Sequence, residues 1–155
     1  MDINEFAQQF PERMKKLQEF VKPSDACKEI MGIEAQEFYK ESFPKQGFTD
    51  ENLKPWADVK RRDPNSNQYG KGVRATALIL IDTTELKNAI YFAKTETGVR
   101  VYNEKLYARV HNFGGKAGKK AFQMIARPFI GPSRTMVKRI KAALLPRIKD
   151  IMQGN

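Results

Sequence analysis

Along the first forty residues the hydrophobic positions recur at helical steps. Ile3, Phe6, Phe10, Met14, Leu17 and Phe20 advance by three and four, which lays one apolar stripe along a helix. Pro11 sits inside that run; with no N–H and a ring that crowds the preceding turn, it predicts a kink or a restart, and Pro23 predicts the stop. Ser24 suits the N-cap of a second helix, whose inner side carries Cys27, Ile30, Met31, Ala35, Phe38 and Ser42 and which Phe43-Pro44 closes. From Lys45 to Trp56 glycine, proline, aspartate and asparagine interrupt every period, so irregular chain anchored by Phe48 and Trp56 is expected there.

The middle of the chain changes period. Ala77-Leu-Ile-Leu-Ile81 is a continuous apolar run bounded by polar residues, which fits a buried strand somewhat better than a short buried helix. Ile90 to Thr95 and Gly98 to Asn103 read as two strands joined by a turn at Glu96-Thr97-Gly98, with Val99 and Val101 on one face. Leu106, Val110 and Phe113 then fall on one side of a short helix that Gly114-Gly115 ends. From Ser133 onward Met136, Val137, Ile140, Leu144, Ile148, Ile151 and Met152 return to helical spacing, with Pro146 as a kink or fresh start.

These elements predict an α+β fold, with N-terminal helices and a C-terminal helix packed on one small antiparallel sheet of about three to five strands. The 155 residues fit one domain. Its parts are a helical segment 1–56, a basic loop 57–75, a sheet-rich segment 76–132 with a short helix, and a closing helix 133–153.

Charge alters the functional picture more than the architecture. The net charge of +10 divides into −3 over residues 1–56 and +13 over residues 57–155. Two loops concentrate it. Lys60, Arg61, Arg62, Lys71 and Arg74 give residues 60–74 a net +4, and Lys116, Lys119 and Lys120 give residues 114–120 a net +3. Such loops suit contact with DNA phosphates or an acidic protein surface, and a free-standing basic nucleic-acid-binding domain is the competing reading. Aromatic residues do not interleave with the cations as a single-strand stacking platform requires.

Candidate chemistry is sparse. With His111 the only histidine and Cys27 the only cysteine, a zinc site built from several such ligands is excluded within one chain. Cys27, in a helical stretch, reads as a small buried hydrophobe. Neither Gly70-Lys-Gly nor Gly114-Gly-Lys-Ala-Gly-Lys-Lys has the glycine spacing or strand-to-helix context of a phosphate loop. His111 lies between Val110 and Asn112 with no partner for general-base work, and reads instead as a hydrogen-bonded residue fixing the glycine turn. The opening Met-Asp-Ile-Asn-Glu-Phe has no basic n-region and no long apolar run, which predicts a soluble product made in the cytoplasm and no membrane partner.

Four patches carry a family resemblance: Ile30-Met-Gly-Ile33 leading to Phe38 and Trp56; Ile79-Leu-Ile-Asp-Thr-Thr-Glu-Leu-Lys-Asn-Ala-Ile90; Tyr107-Ala-Arg-Val-His-Asn-Phe-Gly114; and Ile125-Ala-Arg-Pro-Phe-Ile-Gly131. In this order they resemble the phage virion morphogenesis family, the tail-completion proteins of P2-like and Mu-like phages, and more distantly the head–tail joining proteins of long-tailed phages. The family pattern has an Asp-Thr-Gly-x-Leu turn before Leu86, and this chain departs from it at Thr84. The resemblance implies a structural assembly protein with no enzymatic activity and no cofactor. It implies action in tail completion or head–tail joining, with phage neck, connector or tail proteins as partners, as a homo-oligomer or ring, and with packaged DNA within reach of the basic loops. It implies assembly in the host cytoplasm and a final place in the virion. The matching residues Trp56, Leu86, Tyr107, Ala108, His111, Phe113, Gly114, Ala126, Arg127, Pro128 and Phe129 then read as scaffold. Ala108 allows close helix approach, Phe113 and Phe129 anchor, Gly114 permits a positive φ, and Pro128 stiffens the path to the last helix. For Arg127 three roles stay open: a surface salt bridge, a core-edge clamp and an intersubunit contact.

Overall fold

The computed structural model describes residues 3–22, 25–70, 77–81, 83–118 and 122–154. Its long helices are α1 (Ile3–Val21), α2 (Asp25–Lys40) and α6 (Arg134–Gln153), with short helices α3 (Ser42–Lys45), α4 (Glu85–Asn88) and α5 (Ala108–Phe113) between them. Six strands complete it: β1 (Gly47–Thr49), β2 (Leu53–Pro55), β3 (Ile90–Lys94), β4 (Val99–Asn103), β5 (Gly115–Ala117) and β6 (Phe122–Met124). Both α1 and α6 run through their interior prolines, Pro11 and Pro146, as single helices. Ser24, expected to cap α2, lies outside the described residues.

The expected single sheet is corrected. The strands form three separate two-stranded antiparallel hairpins, β1–β2, β3–β4 and β5–β6. The reason lies in the apolar run whose composition suits a central strand. Residues 77–81 form no strand: Leu80 adopts a φ of +60° and Ile81 N–H turns back to the Leu78 carbonyl at 3.4 Å. The buried backbone of Ile79 is satisfied by a side chain instead, donating its N–H to Gln46 Oε1 at 2.7 Å and accepting from Gln46 Nε2 at 3.0 Å. Gln46 thus fills the place of a neighbouring strand, and no ladder extends from one hairpin to the next. The irregular chain expected over 45–56 is likewise replaced by β1–β2, paired from Gly47 with Pro55 to Thr49 with Leu53.

Helix α2 is the element on which the rest is packed. Its Gly32 lies against β3 so closely that a Cβ there would sit 2.2 Å from Cδ2 of Phe92, and Gln36 Nε2 donates to the Ile90 carbonyl at 2.6 Å. Across from β3–β4, α6 packs on α2, and Arg139 pairs with both Glu34 and Glu41 of the neighbouring helical segment. The main core centres on Phe43, Ile90 and Phe129, all fully buried, while Phe20, Cys27 and Ile151 begin a second cluster where α1, α2 and α6 meet. At its start α6 is capped twice: Ser133 Oγ accepts from Met136 N–H at 3.1 Å and Asp50 Oδ1 accepts from Arg134 N–H at 2.8 Å. At its end buried Arg13 of α1 donates to the Met152 carbonyl at 2.9 Å, a cation on a helix C-terminus.

Candidate functional site

The segments that carry the resemblance converge around α5. The helix is short because Gly114 follows it at φ +73°, where an added Cβ would stand 2.9 Å from the Met124 carbonyl and the Ala126 amide. The chain then runs out and back through β5–β6 and rejoins α5, with Arg127 N–H donating to the His111 carbonyl at 2.7 Å. Both halves of the recognised sequence therefore form one unit.

Asn112 fastens that unit. It is buried, and its Oδ1 accepts from the N–H groups of Phe129 at 2.8 Å and Ile130 at 2.9 Å while its Nδ2 donates to the Ile130 carbonyl at 2.9 Å. Phe129, held in this way, packs on Phe43 at 5.3 Å between ring centroids, and Phe43 meets Trp56 edge to face at 5.7 Å. Trp56 closes the loop by donating its Nε1–H to the Pro128 carbonyl at 2.6 Å.

Arg127 is a core-edge clamp. Its guanidinium is buried and donates from Nε to the Ala57 carbonyl and from Nη2 to the Asp58 carbonyl, each at 3.0 Å. Burial, with the nearby Arg61 charge second, depresses its pKa. Arg61 and Arg62 are themselves committed to structure, both donating to the Ala77 carbonyl, at 2.9 and 2.7 Å. Of the loop cations, Lys60 and Lys116 are exposed, and Lys71, Arg74, Lys119 and Lys120 lie outside the described residues.

His111 has the surroundings of a structural residue. Its ring meets Tyr107 edge to face at 5.7 Å, its Nδ1 is buried with no hydrogen-bond partner among the described residues, and burial, followed by the Arg127 charge, holds its pKa below the ordinary value. The glycine turn is closed by Gly114 N–H donating to the Val110 carbonyl at 2.9 Å, while the His111 carbonyl accepts from Arg127 N–H. No group of three or more histidine, cysteine, aspartate or glutamate residues that could hold a metal occurs among the described residues.

The inner face of α5 differs from the one its apolar spacing predicts. Ala108 and Asn112 are buried, Leu106 is fully exposed just before the helix, and Phe113 is 73% exposed, so Phe113 is not a core anchor. Phe122 of β6 and Ile125 just after it are exposed as well, at 57% and 55%, as are Ala126 and Pro128. Leu86 is buried, with Asn103 Nδ2 donating to its carbonyl at 2.6 Å. The residues missed at the sequence level are Asn112, Gln46 and Asp50. Only Asn112 had a signal, its four-residue spacing from the small Ala108 on the same helix face.

The site is thus a hydrogen-bonded scaffold beside exposed apolar side chains. No helix of the described residues is long and apolar enough to cross a membrane. The model of the phage virion morphogenesis family matches residues 8–149. No curated protein and no solved structure matches the chain.

Proposed function

Because the chain belongs to the phage virion morphogenesis family, we propose that it acts in tail completion or in joining the tail to the head, through contacts between copies at the tail end or neck. Its general role is structural, in virion morphogenesis, and it is not an enzyme. The observation that carries the finer reading is the family match over nearly the whole chain, supported by motif residues that brace one another while leaving Phe113 outside the core.

In this reading the protein assembles in the host cytoplasm, meets neck, connector or tail proteins, and remains in the virion. The basic loops around Lys60–Arg74 and Lys116–Lys120 face packaged DNA or an acidic connector surface. Arg61 and Arg62 commit donors to the Ala77 carbonyl, whereas Lys60 and Lys116 are exposed toward a partner. Deleting the gene from its phage and imaging the lysate tests the assignment: separate filled heads and full-length tails are expected, restored to joined particles by the gene in trans. Infectious particles at the normal yield without the gene would overturn it.

A further inference from the structure

Two neighbouring arginines carry charge that no carboxylate of the chain answers. Arg127 is 8% exposed and spends Nε and Nη2 on the Ala57 and Asp58 carbonyls. Arg61, in the short helical turn Lys60–Arg62 that follows those residues, spends Nη2 on the Ala77 carbonyl. Carbonyl oxygens satisfy hydrogen bonds but leave the full positive charge, and a charge held out of water is stable only when paired. Elsewhere the chain answers its half-buried cations with carboxylates, Arg139 with Glu34 and Glu41 and Lys105 with Glu85. Neither Arg61 nor Arg127 has an ion-pair partner among the described residues, and the nearby Asp58 carboxylate is engaged by Arg62 at 3.4 Å. The two charges are close enough that Arg61 helps burial to depress the Arg127 pKa.

Donors are also left over. Arg61 Nε is buried with no hydrogen-bond partner, and Arg127 Nη1 makes no hydrogen bond among the described residues. A buried N–H without an acceptor is costly, so its presence marks the place of an acceptor that arrives from outside. Entry is open: Ala57, Asp58, Lys60, Ala126 and Pro128, the neighbours of the two arginines, are all exposed.

We propose that a carboxylate from a protein partner, the side chain of an aspartate or glutamate, seats between Arg61 and Arg127 and accepts Arg61 Nε–H and Arg127 Nη1–H on its two oxygens. This rests on the assembly reading for the partner and deepens it by naming the group that the partner presents. Planar forks of N–H donors match the two oxygens of a carboxylate. The site is recessed, so a side chain on a flexible stem reaches it, whereas a duplex meets cations that stand out from a surface as Lys60 does. The partner is a different protein, because a second copy brings its own net charge of +10 against this one.

The test titrates sodium acetate into the full chain, with sodium chloride holding the ionic strength constant. Arginine Nε–H signals are followed by NMR together with the emission of Trp56, the only tryptophan, which is bonded to the Pro128 carbonyl beside Arg127. The Arg61 Nε–H should shift saturably with acetate and not with chloride, and Trp56 should respond with the same midpoint. Arg61→Gln should weaken acetate binding by about tenfold or more, while Arg62 still holds the Ala77 carbonyl and the turn. Asp58→Asn removes the neighbouring negative charge and should tighten acetate binding, a gain that unfolding cannot produce. Dimethyl phosphate, a monoanion that mimics the nucleic-acid diester, should bind more weakly than acetate. No saturable shift, an undiminished response in Arg61→Gln, no gain in Asp58→Asn, or tighter binding of dimethyl phosphate would each overturn the carboxylate site. In the phage, Arg61→Gln supplied in trans to the deletion should lower the yield of joined particles; a full yield overturns the partner contact and leaves the assembly role standing. Normal particles without the gene overturn the assembly role whatever acetate does.

Discussion

Replacing Asn112 by alanine strips three hydrogen bonds from the segment that enters the last helix. Phe129 N–H, Ile130 N–H and the Ile130 carbonyl all depend on this one amide. Phe129 is only 1% exposed, so water cannot reach its N–H without opening the core. At about 1 kcal/mol for each net bond the loss is roughly 3 kcal/mol, and the better helix propensity of alanine returns at most ~0.7 kcal/mol. A net destabilisation of about 2–3 kcal/mol follows, or a fall in Tm of roughly 5–10 °C for a chain of this size. Urea denaturation of Asn112→Ala beside Phe113→Ser reads it directly. The two residues are adjacent on one helix, yet the serine variant should change stability by no more than about 0.5 kcal/mol, because Phe113 is a surface side chain. Amide exchange at Phe129 and Ile130 should accelerate in the alanine variant well before global unfolding. If Phe113→Ser costs more than Asn112→Ala, the inner face of α5 has been assigned to the wrong residues.

Gly32→Ala should destabilise by about 1–2 kcal/mol, since displacing the whole Phe92 ring costs more than the ~1 kcal/mol of helix propensity gained; pairing it with Phe92→Leu should recover most of the loss in urea melts. Thr84 holds a φ of +58° with a β-branched side chain, so Thr84→Gly should raise stability by about 0.5–1 kcal/mol in the same assay, and a lower midpoint would show the strain is absent. His111 carries a pKa lowered by burial, with the Arg127 charge second, so the unfolded chain binds a proton here before the folded one does. Stability present above about pH 6.5 therefore falls as pH drops through the unfolded value toward the folded one. His111→Gln should flatten the dependence of the urea midpoint between about pH 7 and pH 5, and an unchanged slope would remove His111 as its source.

The helices α2 and α6 were legible because burial of one face imposes a 3.6-residue period, and the β3–β4 hairpin because its turn and alternating valines announce a strand pair. What failed was the join between elements. The run Ala77–Ile81 has the composition of a strand, but its environment is set by Gln46, thirty-odd positions away, and no local pattern encodes a side chain that replaces a ladder. The short helix failed for a related reason. Leu106, Val110 and Phe113 are its most apolar positions, yet the core selects Asn112, because the adjoining irregular chain needs donors and acceptors more than that face needs apolar area. At position 84 the departure from glycine suggests a helix start or a different loop in place of the tight turn; Thr84 does directly precede α4, but it keeps the positive φ that a glycine would have accommodated without strain.

Among the described residues the three two-stranded hairpins share no continuous sheet, so side chains hold the connecting segments. Gln46 takes the backbone of Ile79, Trp56 the carbonyl of Pro128, Asn112 the backbone of Phe129 and Ile130, and Arg127 the carbonyls of Ala57 and Asp58. Each of these bonds links chain distant in sequence, and together they fix the position of the segment that bears Phe113 and leads to β6. Ordering a surface before a partner arrives lowers the entropy lost on association. The recognised residues thus serve two ends. The buried ones set the backbone at α5, and the exposed aromatic beside them stands on a base that these hydrogen bonds hold in place. If the proposed contacts between copies run through this surface, assembly should be more sensitive to Asn112 or Arg127, buried behind it, than to any single exposed lysine in the loops.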